Sequence, residues 1–212
     1  MSLGVQTPLT TAPAPESARV GPNAVLQLEQ ALCDQGGAKA AELVFARAGL
    51  QELLRVRPQE MIDERLPRAL FDSLFAHFPE ARAQMVVYRA GRLTGDYILK
   101  NRIPKPVRLL LKLLPAPLSR DLLLKAIHRH AWTFAGSGRC TFTLGRAAEF
   151  RIEANPLTMP GCAWHVGVFD ALFQHLVSRR TTITYNHACL DGLQVCCFSI
   201  ETQYKRYRAP DQ

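Results

Sequence analysis

His128, His130, Trp132 and Phe134 fall within seven residues of one another in the stretch SRDLLLKAIHRHAWTFAGSG, Ser119 to Gly138. A neutral imidazole nitrogen is a good donor to a metal, and aromatic side chains make flat apolar walls. Together they suit a helix that walls a large, flat, aromatic ligand, with histidine as axial ligand to a metal held inside it. Simple core packing of the aromatics is the alternative on spacing alone. A second group follows Cys162, where Trp164 and His165 stand side by side. The third is cysteine: residues 33, 140, 162, 189, 196 and 197.

The elements that must position these groups can be read from periodicity. Leu123, Ile127, His130 (or Ala131) and Phe134 form one apolar stripe, with Leu124, His128 and Trp132 beside it. Pro115 and Pro117 are expected to delay this helix to Ser119 or Asp121, and Gly136 and Gly138 to end it. On that spacing His130 faces the interior and His128 lies near the edge. Before it, helices are expected over 23–35, 39–48, 64–78, 80–101 and 107–114. Gly91 and Gly95, one turn apart in the fourth of these, let a helix or a flat ligand approach the backbone. Alternation then predicts strands from Cys140 and Phe150, a helix over 162–178, and strands over 181–185 and 195–204, with Leu190-Asp191-Gly192 as the turn. Helices first and two strand pairs around one helix make an α+β protein: a helical N-terminal half packed on an antiparallel sheet. Residues 1–18 read as a disordered leader and 19–208 as a single small-molecule-binding domain.

Net charge is +8, with 48% hydrophobic and 21% charged residues, so the chain suits a globular protein with anionic partners. Between 100 and 129, Lys100, Arg102, Lys105, Arg108, Lys112, Arg120, Lys125 and Arg129 face only Asp121. Such a run suits a solvated face, ligand carboxylates, an acidic partner or an anionic membrane surface; no nucleic-acid motif accompanies it. No secretory leader pattern is present, so the cysteines are expected in a reducing cytoplasm, where clusters more often bind metal than pair. The sequence carries no P-loop, no G-x-S-x-G elbow and no NAD(P) motif: Gly136-Ser137-Gly138 ends a helix, and Thr141 stands where a third glycine belongs.

GPNAVLQL (21–28), GDYILKNRIPKP (95–106), HAWTFAGSG (130–138), Asn155-Pro156 and CAWHVGVFDALFQHLV (162–177) resemble the bacteriochlorophyll 4-vinyl reductase family. The closing half also resembles the wider 4-vinyl reductase domain, a small-molecule-binding module. The resemblance implies a role in bacteriochlorophyll synthesis and a hydrophobic pocket for a ligand. The expected ligand is a magnesium tetrapyrrole, a Mg-porphyrin or a divinyl (proto)chlorophyllide, held by His130, Trp132, Phe134, Tyr97, Trp164, His165 and Arg102. A carrier or assembly factor is expected, the alternative being a vinyl reductase fed by an external reductant. The wider domain's zinc pattern maps onto Cys162 and Cys196, but its carboxylate position falls on Tyr185 in one register and Asn186 in the other. Cys162, Cys189, Cys196 (or Cys197) and His187 are the possible zinc ligands, against buried free cysteines as the alternative. Expected partners are other bacteriochlorophyll-synthesis enzymes such as magnesium chelatase, a peripheral membrane contact and a second copy of the chain.

Overall fold

The computed structural model describes residues 18–145, 148–190 and 193–202. The expected leader lies almost wholly outside these, as do Asp191 and Gly192 of the expected turn and the domain's last residues. In chain order come β1 (Arg19–Val20), α1 (Asn23–Gly36), α2 (Ala38–Arg47), α3 (Glu52–Arg55), β2 (Ile62–Asp63) and α4 (Arg65–His77). Then follow α5 (Glu80–Asn101), α6 (Lys105–Leu113), α7 (Ala116–Arg129), α8 (Trp132–Ala135), β3 (Arg139–Thr143) and β4 (Ala148–Glu153). A short turn of helix at Pro160–Cys162 leads into α9 (Ala163–Leu176), and the hairpin β5 (Thr181–Leu190) and β6 (Leu193–Thr202) closes the sequence of elements. The architecture is the expected α+β, with the main sheet ordered β3-β4-β6-β5 and every pairing antiparallel.

Helix α9 is the centre of the molecule. Ten of its positions are buried, from Trp164 to Leu176, because one side meets α5 and another meets the sheet. Against α5 the contact is backbone to backbone: a methyl added at Gly91 would run into the Trp164 carbonyl, and one at Gly95 would meet the Val168 carbonyl at 2.9 Å. Gly167 faces back at the Tyr88 carbonyl in the same way. The two glycines of α5 therefore admit a helix, not a flat ligand. Beneath α9 the sheet presents every second residue. One row crosses all four strands as Phe142, Phe150, Phe198 and Tyr185, and the next as Cys140, Ile152, Cys196 and His187. Phe169 of α9 stands edge-on to Phe150 and Phe198, with centroids 5.5 and 5.1 Å away.

The stretch from Ser119 to Gly138 departs from the expected single helix. Proline lacks an N–H that the first turn would not use, so Pro117 sits inside the first turn of α7, which starts at Ala116. The helix stops at Arg129, and His130 takes φ −105°, ψ 11°. The chain then turns, and α8 begins two residues later.

Candidate ligand-binding site

His165 lies on the first turn of α9, only 1% exposed. Trp164 meets its ring edge-on at 4.9 Å, and Phe198, Phe134 and Phe169 surround it at 5.8, 6.1 and 6.5 Å between centroids. Neither imidazole nitrogen makes a well-formed hydrogen bond, although the Phe134 backbone lies near the ring, and the buried indole N–H of Trp164 has no partner. Burial pushes the imidazole pKa down to about 3; the Phe134 backbone opposes that shift without cancelling it. A buried polar group without a partner costs on the order of 1–3 kcal/mol. His165 is thus a neutral imidazole with a free lone pair in an aromatic box, and its neighbour is a second unpartnered donor.

One turn earlier lies a pair of thiols. Cys162 caps α9 in the left-handed region, φ 41° and ψ 38°, a conformation rare for non-glycine residues and often found at functional sites. It brings Cys162 Sγ to 2.9 Å from Cys196 Sγ. Asn155 Nδ2 donates to Cys196 Sγ at 3.4 Å, and Thr158 Oγ1 lies 3.7 Å from it. The Cys162 thiol and these donors hold the Cys196 thiol below its ordinary range, while the hydrogen bond to Cys196 and burial hold Cys162 above it.

The sequence-derived ligand set is divided by this arrangement. Trp164, His165 and Phe134 come together, with Phe134 half-buried on α8 and closing one side of the box. His130 does not face the interior: it is exposed, because α7 has ended before it, and buried Ala131 takes the inward place. Trp132 is 60% exposed. Tyr97 is half-buried and Arg102 exposed, toward and past the C-terminal end of α5, whereas Trp164 crosses α5 at Gly91. Of the metal set, Cys162 and Cys196 meet. His187 shares a sheet row with Cys196 but is exposed, its Nδ1 3.2 Å from the Tyr185 hydroxyl. The Cys189 side chain lies outside those described; Cys197 is buried on the opposite face of β6, beside Arg151. Among the described residues no group of three or more His, Cys, Asp or Glu could hold a metal. Asn155 and Thr158 were not assigned a role from sequence, although Asn155-Pro156 stood out as a motif. Phe150, Phe169 and Phe198 carry no sequence signal beyond the spacing of strand or helix core positions.

Helix α8 covers the box and is tied down at both ends. Gly21 N–H donates to the Thr133 carbonyl at 2.7 Å, and Ser137 donates to Glu64 through its N–H at 2.7 Å and its hydroxyl at 2.8 Å. Gly136, φ 53°, makes the turn between them, and a methyl there would strike the Glu64 carboxylate. A separate, open and basic cleft of about 600 Å³ lies between α5, α6 and α9, lined by Arg92, Asp96, Lys112, Gln174, His175 and Arg179 among others.

The chain is 38% identical over 189 residues to the bacteriochlorophyll synthase 23 kDa chain of Cereibacter sphaeroides, covering 86% of this chain and 90% of the relative. With its counterpart in Rhodobacter capsulatus the identity is 36% over 208 residues, with coverage of 94% and 95%. The chain belongs to this family. No family model matches it. Among solved structures, an H-NOX family protein studied for heme distortion superposes with TM-score 0.59 at 11% identity, covering 91% of this chain and all of the other. An oxygen-binding H-NOX domain related to soluble guanylate cyclases gives TM-score 0.53 at 11% identity, with the same coverage. At that identity the likeness is one of fold alone.

Proposed function

We propose that the protein serves bacteriochlorophyll synthesis by binding a magnesium tetrapyrrole intermediate and passing it on, as a carrier or assembly factor. One observation carries this reading: His165 is a buried, neutral imidazole with no well-formed hydrogen bond on either nitrogen, only the Phe134 backbone nearby. Magnesium in a porphyrin takes an axial ligand, and a neutral imidazole in a dry aromatic box can supply one. The family's name and the heme named for an H-NOX neighbour support a tetrapyrrole as the occupant. Because His165 is 1% exposed, a macrocycle reaches it only if the box opens, and we assign that opening to α8, the short helix that carries Phe134. The partners fitting such a role are enzymes that supply or consume the pigment, magnesium chelatase among them. The alternative, vinyl reduction with an external reductant, would use the same box.

The likeness to the wider 4-vinyl reductase domain supports a second reading, a zinc at the thiol pair. The lowered pKa of Cys196 favours it, since thiolate is the ligating form. Cys162 and Cys196 would be two ligands, with Cys189 and His187 completing four; the domain's carboxylate is missing in either register, its place falling on Tyr185 or Asn186. Metal analysis of the purified protein decides this: about one zinc per chain, lost in Cys162→Ser, supports the site, and a trace amount leaves a hydrogen-bonded thiol pair.

The direct test is to titrate the protein with magnesium protoporphyrin, metal-free protoporphyrin and divinyl chlorophyllide, with and without NADPH, following absorbance. Saturable binding without turnover supports a carrier. Steady conversion of divinyl to monovinyl pigment by protein and NADPH would make it a reductase. No spectral shift with any pigment overturns the reading.

A further inference from the structure

Helix α6 has the composition of an interfacial helix, and among the described residues most of its apolar side chains are left exposed. Leu111 is its one buried residue. Val107, Leu109, Leu110 and Leu113 are 42, 59, 55 and 75% exposed, and Leu118 and Leu122 of the adjoining α7 are 48 and 39% exposed. At 100° per residue, Leu109, Leu113, Leu110 and Val107 share one arc of α6, while Lys105, Arg108 and Lys112 share another beside it. On α7 the exposed stripe runs Leu118, Leu122, Lys125, Arg129, two leucines followed by two cations. Isolated surface leucines need no explanation, but six large apolar side chains on two packed helices form a patch.

We infer that the α6–α7 face docks on the surface of an anionic phospholipid bilayer, with the leucines in the headgroup and acyl boundary and the cations against the headgroups. Charge complementarity selects that occupant. The stretch from 100 to 129 holds eight cations and one acid; Arg120 is buried and paired with that acid, Asp121, at 2.8 Å, which leaves seven cations and no further acid in the stretch. A second copy of the chain would bring the same cations face to face. A neutral apolar partner would leave them unused. Both requirements of interfacial binding, apolar area and positive charge, lie on the same face. No helix among the described residues is long and apolar enough to cross a membrane, so the contact is peripheral. The inference is independent of the His165 site: none of the box residues lies on the docked face, and its tie to α9 is Lys112 Nζ, 3.1 Å from His175 Nε2.

Flotation with vesicles of phosphatidylcholine, with and without phosphatidylglycerol, tests it on the full chain. The protein is expected to float with the anionic vesicles and to lose about tenfold in affinity on neutral ones or in raised salt. Leu110→Glu with Leu113→Glu should abolish flotation with an unchanged melting temperature, both side chains being exposed, and Lys105→Gln with Lys112→Gln should weaken it selectively on anionic vesicles. Absence of flotation, or equal flotation of the Leu110→Glu, Leu113→Glu protein, overturns the inference. So does a wild-type dimer by light scattering that the same pair of substitutions dissolves, since a second copy would then be the occupant.

Discussion

At the scale of the residue, His165 is held at a cost. Its folded-state pKa, about 3, lies below the ordinary 6.5, so between those values the unfolded chain binds the proton and the folded chain does not. The protein without ligand is therefore expected to lose stability as pH falls from about 6.5 toward 3, by up to ~1.4 kcal/mol per pH unit. Above pH 7 the group contributes no slope. Denaturant melts across that range should show the loss, and His165→Leu should remove that share of it. Since no well-formed hydrogen bond holds the imidazole, His165→Leu at neutral pH is expected to leave stability unchanged or raise it by about 1–2 kcal/mol. A drop of several kcal/mol would mean that His165 is a packing residue. Sequence made both His130 and His165 candidates, because each sits in an apolar pattern beside a tryptophan. What separates them is where the helices end, and for His130 no residue type announces that end: the first glycine is Gly136.

At the scale of the element, the break after Arg129 is decided by tertiary hydrogen bonds. Thr133 accepts from Gly21, over a hundred residues away in sequence, and Glu64 takes two bonds from Ser137. Periodicity sees neither. It does see α5, whose expected bounds match because Pro79 opens it and its apolar positions keep one beat through Leu99. The ties on α8 give a kinetic prediction. Glu64→Ala removes two bonds to a charged acceptor and should cost about 1–3 kcal/mol. In stopped-flow mixing it should also speed pigment uptake while leaving the bound spectrum alone; unchanged uptake would mean that α8 is not the way in. Gly136→Ala places a side chain at positive φ against the same carboxylate, so a loss of at least ~1–3 kcal/mol in thermal melting is expected. Gly91→Ala must push α9 away from α5, and a cost of about 1–3 kcal/mol or more should appear in the same assay.

At the scale of the whole molecule, α9 ties the parts together. Its first turn carries Cys162 and His165, one side packs on α5, and another covers the aromatic row of the sheet. The α+β class was legible because the apolar period changes from helical to alternating after Gly138. The box was not, because Phe150, Phe169 and Phe198 look the same in sequence whether they pack on each other or around a ligand. The central claim is that His165 is an axial ligand to the magnesium of a bound tetrapyrrole. The measurement that bears on it most directly is a paired absorbance titration of wild-type and His165→Leu protein with magnesium protoporphyrin and metal-free protoporphyrin. The account predicts that His165→Leu weakens magnesium protoporphyrin by about tenfold or more, one axial bond being worth at least ~1.4 kcal/mol, and shifts its Soret band, while the metal-free ring binds as before. Equal affinities of the two proteins for both pigments would contradict it.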